Sequence, residues 1–79
     1  MMSEKLYQIA SRVFNVSIDK INDDTNPEVL EEWDSFNFYV LLDEIEKSFG
    51  IKFDLDETLD IKKIGDIKKI FVKHGVKAE

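Results

Sequence analysis

Apolar residues recur at helical spacing in three separate stretches of this chain, while a single short stretch, Ile51–Phe53, alternates as a strand would. Leu6, Ile9, Ala10 and Val13 stand at i, i+3, i+4 and i+7 and predict a helix over about Ser3–Phe14, with Ser3 as its N-cap. Leu41, Leu42, Ile45 and Phe49 form the inner stripe of a second helix, Ser35–Phe49, which Gly50 can end in the left-handed conformation. Ile64, Ile67, Ile70 and Phe71 form the stripe of a last helix, starting near Gly65-Asp66 and ending about His74 before Gly75. A lone strand has no partner, so Ile51 and Phe53 read as a connector packing on the core. Asp54 or Asp56 is expected to cap a short third helix through about Asp60, with Leu59 pointing inward. The fold class is therefore all-α: four helices around one apolar core, in one domain over residues 1–79, with no internal repeat.

Between the first two helices, Asn15–Asp34 carries little helical period over most of its length and holds Asn22, Asp23, Asp24, Thr25, Asn26 and the only proline, Pro27. It reads as a long loop, anchored by Val16, Ile18 and Ile21, with a short turn of helix at Val29 and Leu30. Loops beyond about 12 to 15 residues in compact domains are often functional. This one delivers Asp34-Ser35 to the start of the second helix.

Size and charge narrow the function classes. A domain of 79 residues buries only about 60 to 65 % of its unfolded surface, which suits it to presenting a surface rather than enclosing a substrate. Cysteine is absent, so any thiol chemistry must be imported. Residues 1–61 hold 15 acids against 5 Lys/Arg, for −10, and residues 62–79 hold 6 Lys against 2 acids, for +4. Such an acidic body disfavours nucleic acid and favours partners with basic patches. No apolar run reaches the roughly 20 residues that span a membrane, and the N-terminus does not read as a signal peptide, so a cytoplasmic protein without membrane insertion is expected.

Ser35 stands where an N-cap is expected, and its hydroxyl could satisfy an orphan backbone N–H. The same place favours an anion, because unpaired N–H groups and the positive end of the helix dipole meet there. As a hydrolytic nucleophile Ser35 would need a base, but the only histidine, His74, lies near the tail and no Gly-x-Ser-x-Gly elbow surrounds the serine. His74 reads as a last-turn residue that complements the dipole when protonated, and a lone histidine is a poor metal site. Asp54, Asp56, Glu57 and Asp60 lack the glycine and glutamate of a calcium loop, with Leu59 and Gly65 at those places, and read as a solvated helix start; no metal is expected. Four aromatics, Trp33, Phe36, Phe38 and Tyr39, crowd the start of the second helix and cannot all point inward, so at least one of Phe36 and Tyr39 should be exposed beside Ser35.

The order of these features resembles the acyl carrier protein family over nearly the whole chain: the first helix, the long loop, Asp34-Ser35-Phe36, then Leu41-Leu42-Asp43-Glu44-Ile45-Glu46-Lys47-Ser48-Phe49-Gly50-Ile51, and Ile64-Gly65-Asp66-Ile67. The resemblance implies a non-enzymatic carrier with 4'-phosphopantetheine attached covalently to Ser35, and with Asp34 helping to present the site to a phosphopantetheinyl transferase and its metal ion. It also implies that Trp33, Phe36, Tyr39, Asp43, Glu44 and Glu46 face partners, which would be acyl-loading and acyl-using enzymes; modest size and a charged surface make a monomer the expectation. Glu31-Glu32-Trp33 replaces the Leu-Gly and small residue found before the serine in many fatty-acid-synthesis carriers, and Asn37, Tyr39, Val40 and Asp43 rewrite the recognition face. The chain is in this respect more similar to stand-alone carriers of specialised lipid, polyketide or related pathways. A peptidyl carrier and an unmodified acidic helical interaction module are the alternatives.

Overall fold

The computed structural model describes residues 2–76, and side chains from Glu4 onward. Four helices follow in order: α1 (Met2–Phe14), α2 (Ser35–Phe49), α3 (Leu55–Leu59) and α4 (Ile64–Lys73), with a single 3₁₀ turn at Ile18–Lys20 and no strand among the described residues. The helix of α1 begins at Met2, which puts Ser3 inside it rather than at its flank; the Ser3 side chain lies outside the described residues. Asn15, at φ 56, ends α1 in the left-handed conformation that asparagine tolerates. Gly50, at φ 68, ends α2, and its N–H donates to the Glu46 carbonyl.

Helices α1 and α2 run antiparallel. Lys5 near the start of α1 donates to the Ser48 carbonyl at the end of α2 (3.1 Å), Arg12 pairs with Glu44 (3.3 Å), and Phe14 stacks on Trp33 ahead of α2. The core takes Leu6, Ile9, Ala10 and Phe14 from α1, Leu41, Leu42 and Ile45 from α2, and Ile64, Ile67, Ile70 and Phe71 from α4. Phe49 packs on its margin against Phe71, and Ile51 and Phe53 do the same as a connector. The stripe of α4 is buried whole, whereas Val13 of the α1 stripe and Phe49 of the α2 stripe are only half-buried, and Phe14 takes the fourth core place of α1.

The long loop is held by fewer anchors than its apolar residues suggest. Ile21 and Leu30 are buried and Val16 is half-buried, but Ile18 is 42 % exposed and does not anchor anything. Ile18 opens the 3₁₀ turn, whose three residues are all exposed, so the inward position passes to Ile21 behind it. A turn does form at 27–29, with the N–H groups of Val29 and Leu30 both donating to the Asn26 carbonyl. Polar staples complete the anchoring: buried Thr25 accepts the Asn22 N–H and donates to the Lys20 carbonyl, while the Ile64 and Gly65 N–H groups donate to the carbonyls of Thr25 and Asp23. Gly65 lets the two backbones approach closely there, since a Cβ would stand 3.1 Å from the Asp23 carbonyl oxygen, a tight contact. On the other side of Asp23, its carboxylate takes the Tyr7 hydroxyl and the Lys68 ammonium, tying loop, α1 and α4 together.

Leu59 does not point inward. It is 63 % exposed, and Ile61, two residues on, fills the buried place instead. With five residues α3 makes little more than one turn, and its buried residue is the acid Glu57.

Candidate functional site at the start of helix α2

Trp33 sets the position of the site. Its ring lies between those of Phe14 (5.3 Å between centroids) and Phe38 (5.8 Å), and the Trp33 backbone N–H donates to the Leu30 carbonyl. Only 7 % of it is exposed, so Trp33 is a core residue and presents nothing to a partner, contrary to the expectation that it belongs to the recognition face. Burying the largest side chain in the chain pins the end of the loop against α1. From that fixed point Asp34 continues in extended conformation (φ −106°, ψ 179°) and the helix begins.

Asp34, not Ser35, is the N-cap. The Asp34 Oδ1 accepts the Asn37 N–H at 2.8 Å, its carbonyl accepts the Phe38 N–H at 2.9 Å, and the Asn37 side-chain amide donates back to the Glu32 carbonyl at 2.9 Å. Aspartate and serine are both good caps; here the extended residue is the aspartate, which leaves Ser35 as the first helical residue. Ser35 is exposed, and among the described residues its hydroxyl has no hydrogen-bond partner and the N–H groups of Ser35 and Phe36 have no acceptor. A reactive oxygen and two unpaired donors therefore share the positive end of a helix of 15 residues. Ser35 also lies on a shallow, mostly apolar cleft with Pro27, Trp33, Asp34, Phe38 and Ile61.

The other described serines are differently placed. Ser11 donates to the Val16 carbonyl, Ser17 caps the 3₁₀ turn by accepting the Asp19 N–H, and Ser48 is half-buried near the end of α2. Ser35 alone among them is both exposed and unengaged.

A family model for the phosphopantetheine attachment site matches residues 4–70. This chain belongs to that family. No curated protein matches it. Membership makes the chain a phosphopantetheine carrier, a protein that holds cargo on a prosthetic arm and does no catalysis of its own, and whose kind interacts with modifying and acyl-handling enzymes. The residues fit such a group: an accessible hydroxyl to take a phosphodiester, free amides to face its charge, and an apolar cleft beside it to border the arm.

Of the residues expected on the carrier's partner face, the structure gathers three and disperses the rest. Phe36 (75 % exposed), Tyr39 (70 %) and Asp43 lie at i, i+3 and i+7 on one exposed side of α2, next to Ser35. Asp43 is paired along the helix with Lys47 at 3.0 Å. Glu44 turns to Arg12 on α1, and Glu46 accepts the Phe53 N–H at 2.8 Å, holding the connector after α2. Glu46 is thus a fastening of the fold, engaged away from the exposed stripe.

A second constellation was not visible in the sequence. Glu57 does not belong to a solvated helix start: it is 5 % exposed, its Oε1 accepts the Asp54 N–H (2.9 Å), Lys73 reaches Oε2 (3.1 Å), and His74 Nε2 stands 3.0 Å from both oxygens. The Asp54 N–H first, and His74 next, push the Glu57 carboxyl down to about 2. His74 therefore spends its ring on Glu57 of α3, not simply on the end of its own helix. No group of three metal-ligating side chains occurs among the described residues.

Proposed function

We propose that this chain is an acyl carrier protein, one domain over residues 1–79, whose Ser35 bears the phosphopantetheine. The free, exposed Ser35 hydroxyl at the first position of α2 carries the reading. In the transferase the Ser35 oxygen bonds to the phosphorus of the phosphopantetheine half of coenzyme A as the phosphoanhydride bond breaks, adenosine 3',5'-bisphosphate leaves and the hydroxyl proton passes to the transferase or solvent; the resulting phosphodiester faces the unpaired N–H groups of Ser35 and Phe36. Asp34 uses Oδ1 to cap α2, and its Oδ2, which accepts no hydrogen bond among the described residues, is open toward the transferase and its metal ion. The arm's thiol, loaded as a thioester, then supplies the sulfur chemistry that a chain without cysteine lacks. Tethering raises the effective concentration of cargo at whichever enzyme has docked. Phe36, Tyr39 and Asp43 form the docking stripe, and the acidic balance of the chain supports acyl-handling partners with basic surfaces. Glu31-Glu32-Trp33 before the site supports a specialised lipid or polyketide pathway. We place the carrier in the cytoplasm as a monomer; no described helix is long and apolar enough to cross a membrane.

The test is labelling with a fluorescent coenzyme A analogue and a broad-specificity transferase. Wild-type protein should take up label and Ser35→Ala should not. Equal labelling of the variant would assign the arm to another residue.

A further inference from the structure

Two residues of the first turn of α2 reach back across Ser35. Asn37 is half-buried; its side-chain amide donates to the Glu32 carbonyl at 2.9 Å, and its backbone N–H donates to Asp34 Oδ1 at 2.8 Å. Phe38 stacks its ring on Trp33 and gives its N–H to the Asp34 carbonyl. The Glu32 carbonyl takes a second donor, the Asp34 N–H at 3.1 Å, so residues 32–34 form a tight turn centred on Trp33. Capping of α2 does not need the Asn37 side chain, because Asp34 caps through the backbone N–H that any residue but proline would supply at 37. The amide instead ties the helix to the end of the loop, across the residue with the free hydroxyl.

Such a tie bears on the transfer of the arm. The Ser35 oxygen must meet the phosphorus of coenzyme A opposite the phosphoanhydride oxygen, so that one P–O bond forms as the other breaks, adenosine 3',5'-bisphosphate leaves and the hydroxyl proton passes to the transferase or solvent. Misplacing the attacking atom by about 1 Å can cost such a step about 10²-fold. We propose that Asn37 is a positioning residue for this transfer: its side-chain amide closes residues 32–37 into a loop and holds Ser35 and the Asp34 carboxylate where the transferase meets them. Only a donor suits the Glu32 carbonyl, so an ionised aspartate at 37 could not make the tie. The role rests on Ser35 being the attachment residue. It differs from that of Phe36, Tyr39 and Asp43, which are exposed and meet the partner directly.

Single-turnover transfer from coenzyme A to the full-length protein, with transferase in excess, tests the role, because the rate at saturation and the half-saturating concentration are read separately. Asn37→Ala removes the amide. Asn37→Asp sets a carboxylate against the Glu32 carbonyl while adding a negative charge to the first turn of α2, which favours the helix. Both variants should lower the saturated rate about tenfold or more, with the half-saturating concentration raised less than about threefold, and Asn37→Asp should keep a urea midpoint close to that of wild type. Peptide mapping of the product separates two failures. Label on Ser35 with wild-type saturated rates in both variants would overturn the role of Asn37 alone, whereas label on another residue would overturn the attachment site and this role together. A raised half-saturating concentration at an unchanged saturated rate would make Asn37 a docking residue, and a loss that tracks a fall in the urea midpoint of each variant would make it a structural one; either overturns the proposal.

Discussion

At the scale of single residues, the adjacent pair Asp34-Ser35 divides two tasks. The aspartate closes the helix start through Asn37, and the serine, relieved of capping, keeps its hydroxyl free. The two residues should therefore respond oppositely to truncation. Asp34→Ala should cost about 0.5 to 2 kcal/mol in urea unfolding, as for a lost N-cap, whereas Ser35→Ala should change stability by less than about 0.5 kcal/mol. A large loss in Ser35→Ala would mean that the serine caps α2 after all. The pair also marks a limit of sequence reading: both residue types cap helices, and only the backbone shows which one is extended. Trp33 marks another, because its neighbours Glu31, Glu32 and Asp34 are exposed and give no hint that the ring is stacked between Phe14 and Phe38.

At the scale of elements, legibility tracks length. The bounds of α2, Ser35–Phe49, and the buried stripes of α2 and α4 could be read from apolar period and from Gly50, since several turns average out local noise. Over the five residues of α3 no period can be established, which is why Leu59 looked like a core residue and Ile61 did not. The exposed side of α2 follows from the same geometry: Leu41, Leu42 and Ile45 fill the inner side and leave Phe36, Tyr39 and Asp43 outside. Tyr39→Ala and Phe36→Ala should thus leave the urea midpoint close to wild type while slowing transfer of the arm by a phosphopantetheinyl transferase, which a time course of labelling measures. Slowed transfer without loss of stability supports a docking stripe; unchanged transfer in both variants would remove these aromatics from it.

At the scale of the whole molecule, long-range polar ties join segments that the sequence keeps apart. Tyr7, Asp23 and Lys68 bring α1, the loop and α4 together, and Glu57 joins α3 to Lys73 and His74. Charge pairs separated by many residues leave no local pattern, so neither tie was legible beforehand. They do leave a pH signature. The Lys68 ammonium first, and the Tyr7 hydroxyl next, lower the Asp23 carboxyl, and Glu57 falls from an ordinary 4.5 to about 2. A carboxyl whose folded pKa lies below its unfolded one stabilises the fold above the unfolded pKa and loses that contribution as pH falls through the folded one. Stability to urea should accordingly decline from about pH 5 towards pH 2, and Glu57→Gln should show a shallower decline because one of the linked protons is gone. A variant whose decline matches the wild type would remove Glu57 from the acid response. The most direct measurement of the central claim remains at Ser35: intact mass before and after incubation with coenzyme A, magnesium and a broad-specificity transferase, followed by peptide mapping. A gain of one phosphopantetheine located on Ser35 is the predicted result; a gain located on another residue, or none while a control carrier is modified in the same tube, would contradict it.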